Sequence, residues 1–441
     1  MTTTKRRRYV LVGTGSRAQM FRDALTITYA DRAQMTAICD LNPLRMRAWA
    51  AGLDPAPAFY SAGEFDRMIR EQEPAAVIIT TMDATHHLYV CRAMELGCDV
   101  ILEKPMTTTA AGCRAIMAAQ KLTGRQLTVT FNYRYAPRNS RVKELLAGGV
   151  IGDVISVHFE WLLDTKHGAD YFRRWHRDKA NSGGLLVHKS THHFDLVNWW
   201  LGTRPDTVMA MGGLRFYGSD NATARGEPRT YPRATGHAAA RQDPFALDMT
   251  ADPQLKALYL DCEAADGYQR DQNVFGPGIT IEDDVGVLVR YRNRAVLSYH
   301  LTAFAPREGY RVAFNGTRGR LDLDVVERAY VSGTDSDHNQ ARNVSGGGPV
   351  EVEEPVTLTV QPLWGRPEHI VLPAVTHGGH GGADAHLLRD LFSGEPLSDP
   401  LGRAAGAEDG AWSVSCGLAA NQSLLTGQVV RIAELLPELA G

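Results

Sequence analysis

Residues 9–28 constrain the fold of this chain more than any other stretch. An apolar run, Tyr9-Val-Leu-Val12, stops at Gly13-Thr14-Gly15-Ser16-Arg17-Ala18, and an amphipathic pattern follows over 17–28. The run reads as a short buried strand, the glycines as a tight turn, and small Ala18 as the point where a helix packs closely on that strand. The alternation then repeats. Apolar runs at 35–40, 75–81, 99–102 and 126–131 are separated by helical patterns at 43–51, 62–70, 85–96 and 108–123. Strands that are apolar on both faces and alternate with helices predict a parallel, doubly wound sheet, here over residues 1–132.

The turn also predicts chemistry. Gly13 suits the turn itself, Gly15 allows the backbone to approach a pyrophosphate, and the following residues Ser16 and Arg17 open the helix toward it. The second strand ends in Asp40. A carboxylate there accepts from adenosine ribose hydroxyls and repels a 2′-phosphate, so the expected cofactor is NAD and not NADP.

The pattern changes after about residue 150. Ile155, Val157, Phe159 and Trp161 alternate with Ser156, His158 and Glu160, the period of a strand with one buried face. Runs at 286–291 and 295–304 flank a short turn, and 310–314 leads into Asn315-Gly316, a hairpin signal. Residues 133–441 therefore read as a second, α+β domain with a large, mostly antiparallel open sheet. Two stretches, 217–280 and 333–376, lack a period and read as insertions that form a lid, an arm or a mobile loop.

Charge and composition exclude other classes. The 441 residues carry 47 Lys+Arg against 50 Asp+Glu, a net charge of -3, so no bulk positive field exists to hold nucleic acid or an anionic membrane. The basic start, Lys5 to Arg8, precedes an apolar run too short for a signal peptide, and the other apolar runs are strand-sized. Six scattered cysteines without CxxC spacing fit a reducing compartment, and the expected location is the cytoplasm.

Further motifs follow the glycine turn. Thr80-Thr81-Met82-Asp83-Ala84-Thr85-His86 ends the fourth apolar run and Glu103-Lys104-Pro105 the fifth. Asn132-Tyr-Arg-Tyr135, the turn at 149–152, a block at 183–202, and the stretches 380–388 and 415–430 complete the set. Together they resemble the Gfo/Idh/MocA family, in which a TPNxxH-like stretch and an EKP stretch line the nicotinamide. The resemblance implies a catalytic lysine at Lys104 and nicotinamide contacts near Thr81, His86 and Glu103, with Met82 in place of the usual proline. It implies a catalytic histidine at His192, with His188 where the family generally has aspartate. It also implies C-terminal helices packed back toward the first domain, and pairing of copies through the open sheet as a homodimer or homotetramer.

Residues 186–201 read as one helix ending at Gly202, which places His188, His192 and Asp195 on one face. His192 then serves as base for a hydroxyl proton, with Lys104 stabilising the alkoxide. HxxxH spacing also fits a metal site, but no metal is expected on a stretch that resembles a metal-free catalytic helix. Arg134, Lys166, Tyr171, Arg174 and Lys189 are the candidate substrate contacts. Trp199-Trp200 reads as core, and Glu282-Asp283-Asp284 as a solvated strand edge. The expected activity is NAD-dependent hydride transfer at a secondary alcohol of a sugar, cyclitol or derivative. The alternative is a redox-neutral glycoside hydrolase or epimerase, using His188 as a second acid/base group.

Overall fold

A computed structural model describes residues 6–331, 356–372, 382–395 and 398–439. Six parallel strands form the first sheet: β1 (Arg7–Val12), β2 (Ala33–Asp40), β3 (Ala58–Ser61), β4 (Ala76–Ile79), β5 (Asp99–Leu102) and β6 (Leu127–Val129). Their order, β3-β2-β1-β4-β5-β6, reverses direction between β1 and β4. Loops diverge at that point and leave a crevice at the carboxyl ends of the strands, where ligands bind in such sheets. Strand β3 is an addition to the sequence reading. It lies at the sheet edge with only Tyr60 buried, so no apolar run marks it. The turn of helix expected over 17–28 runs through 3-10, α and π segments in succession.

Local chemistry sets several element ends. Asn42 accepts from the Leu44 and Arg45 amides and Pro43 occupies the first turn, which starts the helix Pro43–Ala50. Thr109 caps the helix Ala110–Thr123, and left-handed Gly124 ends it.

The second sheet has nine strands: β7 (Val154–Asp164), β8 (Pro205–Gly213), β9 (Asp284–Tyr291), β10 (Val296–Ala305), β11 (Glu308–Gly316), β12 (Gly319–Arg328), β13 (Val356–Pro362), β14 (Glu368–His369) and β15 (Val430–Arg431). The order is β14-β13-β12-β11-β7-β10-β9-β8-β15, antiparallel throughout except for the parallel pair β7–β10. Val157, Phe159 and Trp161 point into the core while His158 and Glu160 face outward. Ile155, expected inside, lies near the strand's start and is 58% exposed. Asn315 pairs with Arg320, closing the expected hairpin.

Helices Thr191–Leu201 and Ala407–Thr426 are largely buried. Gly417 in the second of these lies so close to Leu186 that a Cβ would fall 2.3 Å from its carbonyl oxygen. The same C-terminal region reaches the first sheet, where Val129 N donates to Ala405 O and Phe392 stands edge-on to Tyr9 at 5.1 Å.

Three expectations are corrected. The stretch 217–280 is not loose: short helices at Ser219–Ala224, Pro253–Leu258 and Glu263–Asp266 pack its apolar residues against other parts of the chain. Within 333–376, residues 356–362 form a ladder with β12, while 332–355 and 373–381 lie outside the described residues. Glu282 and Asp283 are buried, not solvated. The Asp283 carboxylate accepts the Arg215, Phe216 and Tyr217 amides, and Glu282 pairs with Lys179 at 2.8 Å. A buried carboxylate surrounded by backbone donors satisfies groups that a loop would otherwise leave orphaned.

Candidate active site

The glycine turn sits at the carboxyl end of β1, against β4. Gly13 has φ +92, and a Cβ there would lie 2.8 Å from the Thr80 carbonyl carbon, so neither the backbone angle nor the space admits a larger residue. Asp40 closes the turn from β2. Its Oδ2 accepts from Thr14 N at 2.6 Å and Thr14 Oγ1 at 2.7 Å, and its Oδ1 accepts from Asn42 N at 2.8 Å. The glycine cradle and the carboxylate at the end of β2 fit a dinucleotide: Gly13, Gly15 and Ser16 would face the pyrophosphate and Asp40 the adenosine ribose.

Arg17 and Glu103 are placed together. Arg17 Nε donates to Glu103 Oε1 at 2.8 Å, and its NH1 lies 3.5 Å from Asp384 on the C-terminal helix Ala383–Phe392. His86 joins the two motif loops, with Nδ1 2.8 Å from Pro105 O and Nε2 3.1 Å from Thr81 O. Burial pushes its pKa down. Thr81 Oγ1 accepts from Thr85 Oγ1 at 2.8 Å.

Lys104 meets the second domain at His188. Its Nζ donates to His188 O at 3.1 Å and lies 3.4 Å from His188 Nε2. The other ring nitrogen, Nδ1, is 2.5 Å from Asp83 Oδ2. Burial brings the Lys104 amine down to about 8, against the attraction of Asp83 and Glu103. Burial also raises the Asp83 carboxyl well above the ordinary carboxylate range and lowers His188. Desolvation disfavours the charged form of each group in this buried pair.

The helix expected over 186–201 is broken. Leu185–His188 and Thr191–Leu201 are separate segments, with Lys189 and Ser190 between them. His188 and His192 therefore do not share one continuous helical face. His192 is packed edge-on to Tyr133 at 4.8 Å and Phe131 at 6.0 Å. His193 is a core residue, stacked on Trp161 at 4.0 Å and bonded to Tyr299. Trp199 and Trp200 donate to the carbonyls of Leu401 and Asn139 from the interior. Among the described residues no group of three or more His, Cys, Asp or Glu side chains is arranged to hold a metal ion.

The candidate substrate contacts divide. Around His188 stand Tyr171, with ring centroids 5.5 Å apart, and His176 at 4.2 Å. Arg174 lies over Tyr171 and is held by Asp170 at 2.8 Å. Lys189 is buried with its Nζ 4.9 Å from the Trp161 ring, and burial lowers its pKa. The Lys166 amide donates to Asp164, beginning the turn that carries His167 to Tyr171. Arg134 is different: its guanidinium donates to Asp195 at 2.8 and 2.6 Å, to Asp409 at 3.0 Å and to Gly402 O at 3.2 Å. These bonds make it a buried strut between the helix Thr191–Leu201 and the C-terminal region, in place of the expected substrate contact.

Asp83, which the sequence reading does not single out, joins this cluster through His188. It stands at the asparagine position of the TPNxxH-like stretch, while His188 stands at the usual aspartate position. Each departure looks isolated in the sequence. In the fold they face each other, Asp83 Oδ2 against His188 Nδ1.

A doubly wound sheet with a glycine cradle, joined to an α/β domain whose His188 meets Lys104, is the architecture of a Rossmann-type oxidoreductase. Profiles of one family cover both parts: "Oxidoreductase family, NAD-binding Rossmann fold" matches residues 7–131, and "Oxidoreductase family, C-terminal alpha/beta domain" matches 143–432. The chain belongs to the Gfo/Idh/MocA family and carries its NAD-binding domain. It is 36% identical over 428 residues to YteT of Bacillus subtilis (strain 168), covering 92% of this chain and 94% of that protein, whose name assigns an oxidoreductase without a substrate. An inositol 2-dehydrogenase of Acidothermus cellulolyticus is 28% identical over 221 residues, 49% of this chain and 59% of that protein. An Agrobacterium radiobacter oxidoreductase solved with NAD+, L-tartaric acid and magnesium shares the fold, with a TM-score of 0.62 at 16% identity, covering 98% of this chain and 100% of that one.

Proposed function

We propose that this protein oxidises a secondary alcohol of a sugar, a cyclitol or a derivative, or reduces the corresponding ketone, with Lys104, held by His188 and Asp83, handling the proton. The observation that carries this reading is the contact of Lys104 Nζ with His188, whose far nitrogen is bonded to Asp83. NAD, when bound, supplies the hydride acceptor. An amine at about 8 can hold or release a proton near neutral pH, which suits a group that meets a hydroxyl in one direction and a carbonyl in the other. Lys104 hydrogen-bonds the substrate oxygen and stabilises its developing negative charge. His188, fixed by its bond to Asp83, positions the amine beside the substrate oxygen. His192, matched by resemblance to the family's catalytic histidine, is the second base candidate.

Tyr171, Arg174, Lys166 and Lys189 are the proposed contacts for substrate hydroxyls or for an anionic substituent. The test is a substrate screen that reads NADH absorbance and product formation together. NADH formed in step with product supports the proposal. Product released from an aryl glycoside without net NADH would overturn it in favour of redox-neutral chemistry.

A further inference from the structure

The insertion 217–280 touches the dinucleotide cradle directly. Leu247, Met249, Leu255, Leu258 and Tyr259 share a core with Leu11, Ile38 and Trp49 of the first domain, so this part of the second domain is docked by apolar burial. Polar ties fix its position. Asn42 Nδ2 donates to Cys262 O at 2.9 Å, Arg45 Nε to Leu258 O at 3.0 Å, and Arg45 NH2 to Asp266 Oδ2 at 2.8 Å. The docked segment brings Tyr259 to the turn. Its hydroxyl oxygen accepts from Ser16 N at 2.9 Å and lies 2.7 Å from Ser16 Oγ. It is also 3.7 Å from the point where Gly15 would carry a Cβ.

Two cations flank the ring. The Arg270 guanidinium carbon is 4.8 Å and that of Arg45 5.5 Å from the Tyr259 centroid. Arg270 is 2% exposed; its NH2 lies 3.7 Å from Asp170, a carboxylate also paired with Arg173 and Arg174, and its Nε has no hydrogen-bond partner. A buried guanidinium with an unmatched donor, beside a hydroxyl already seated on the amide after Gly15, is arranged for an anion with several acceptor oxygens.

We propose that residues 247–270 are a clasp that completes the NAD site, with Tyr259 and Arg270 as pyrophosphate contacts supplied by the second domain. When the pyrophosphate takes the Ser16 amide, the Tyr259 hydroxyl turns to donate to a phosphate oxygen and Arg270 offsets its charge. The cofactor then leaves only when the segment parts from Asn42 and Arg45, so release is slow. The inference concerns the NAD site alone and stands whether or not the substrate is a sugar.

The test follows cofactor release. Protein loaded with NADH is chased with excess NAD+ and the loss of bound-NADH fluorescence is timed. Binding of ADP-ribose, which carries the pyrophosphate without the nicotinamide, is titrated in parallel. Tyr259→Phe is expected to release NADH about tenfold faster and to bind ADP-ribose correspondingly less well, the loss typical of one hydrogen bond to a charged group. Asp266→Asn, which weakens the anchor without touching the cradle, is expected to speed release as well. Release at the unchanged or a slower rate from Tyr259→Phe, or tighter ADP-ribose binding, would show that the hydroxyl merely fills the amide in the cofactor's absence and would overturn the proposal.

Discussion

His188 and Asp83 lie 2.5 Å apart across the domain boundary, one on the broken helix of the second domain and the other on the loop after β4. The contact orients the imidazole so that its opposite nitrogen meets Lys104. A change at either residue therefore reaches the lysine.

The contact gives a double-mutant test. His188→Asp alone, which matches the usual family residue, places a carboxyl opposite buried Asp83 and is expected to lower turnover by about 10²-fold or more. Asp83→Asn alone should cost turnover as well, with NAD affinity little changed. The double change, D83N with H188D, restores one carboxylate and one neutral partner and should recover activity beyond the product of the two losses. Steady-state kinetics on the three variants decide; additive losses would remove the proposed pairing.

Lys104→Ala should reduce turnover by about 10²–10⁴-fold with little effect on NAD titration, because the pyrophosphate and ribose contacts lie elsewhere. The pH profile identifies the amine. Burial holds Lys104 at about 8, so its neutral, proton-accepting form grows as pH rises through that value. Alcohol oxidation should rise across the same interval and ketone reduction should fall. Lys104→Arg, which stays protonated, should lose that limb of the profile.

Cofactor choice rests on Asp40. The carboxylate is held by Thr14 and Asn42 and repels a 2′-phosphate. NADP is expected to bind much less well than NAD, and Asp40→Ser to narrow the difference. Isothermal titration of both dinucleotides checks it, and equal affinities in the unchanged protein would refute it.

The outward face of the second sheet should join two copies of the chain. It carries a concavity of about 800 Å³ lined by His158, Met209, Met211, Leu288, His300 and Arg311. Met211 is 69% and Leu288 52% exposed, so this face presents apolar side chains to water. Light scattering should give a dimer or tetramer, and Leu288→Glu should shift it toward monomer. A monomeric unchanged protein would sink this assembly.

The sequence by itself determined the parallel sheet, the glycine cradle and the acid Asp40 at the end of β2. These features are local: a run of apolar residues, a turn that admits only glycine, and short motifs at strand ends all leave their mark within a few neighbouring positions. Strand β3 left none, because an edge strand with one buried residue has no apolar run to read. The tertiary structure decided which separated groups meet. Asp83 and His188 are 105 positions apart and Ser16 and Tyr259 are 243 apart, yet each pair is joined by a hydrogen bond. It also assigned Arg134 to Asp195 and buried the acids at Glu282 and Asp283. The physical reason is the same in each case. A polar side chain in the interior must find a partner wherever the folded chain brings one, and sequence distance carries no record of that choice.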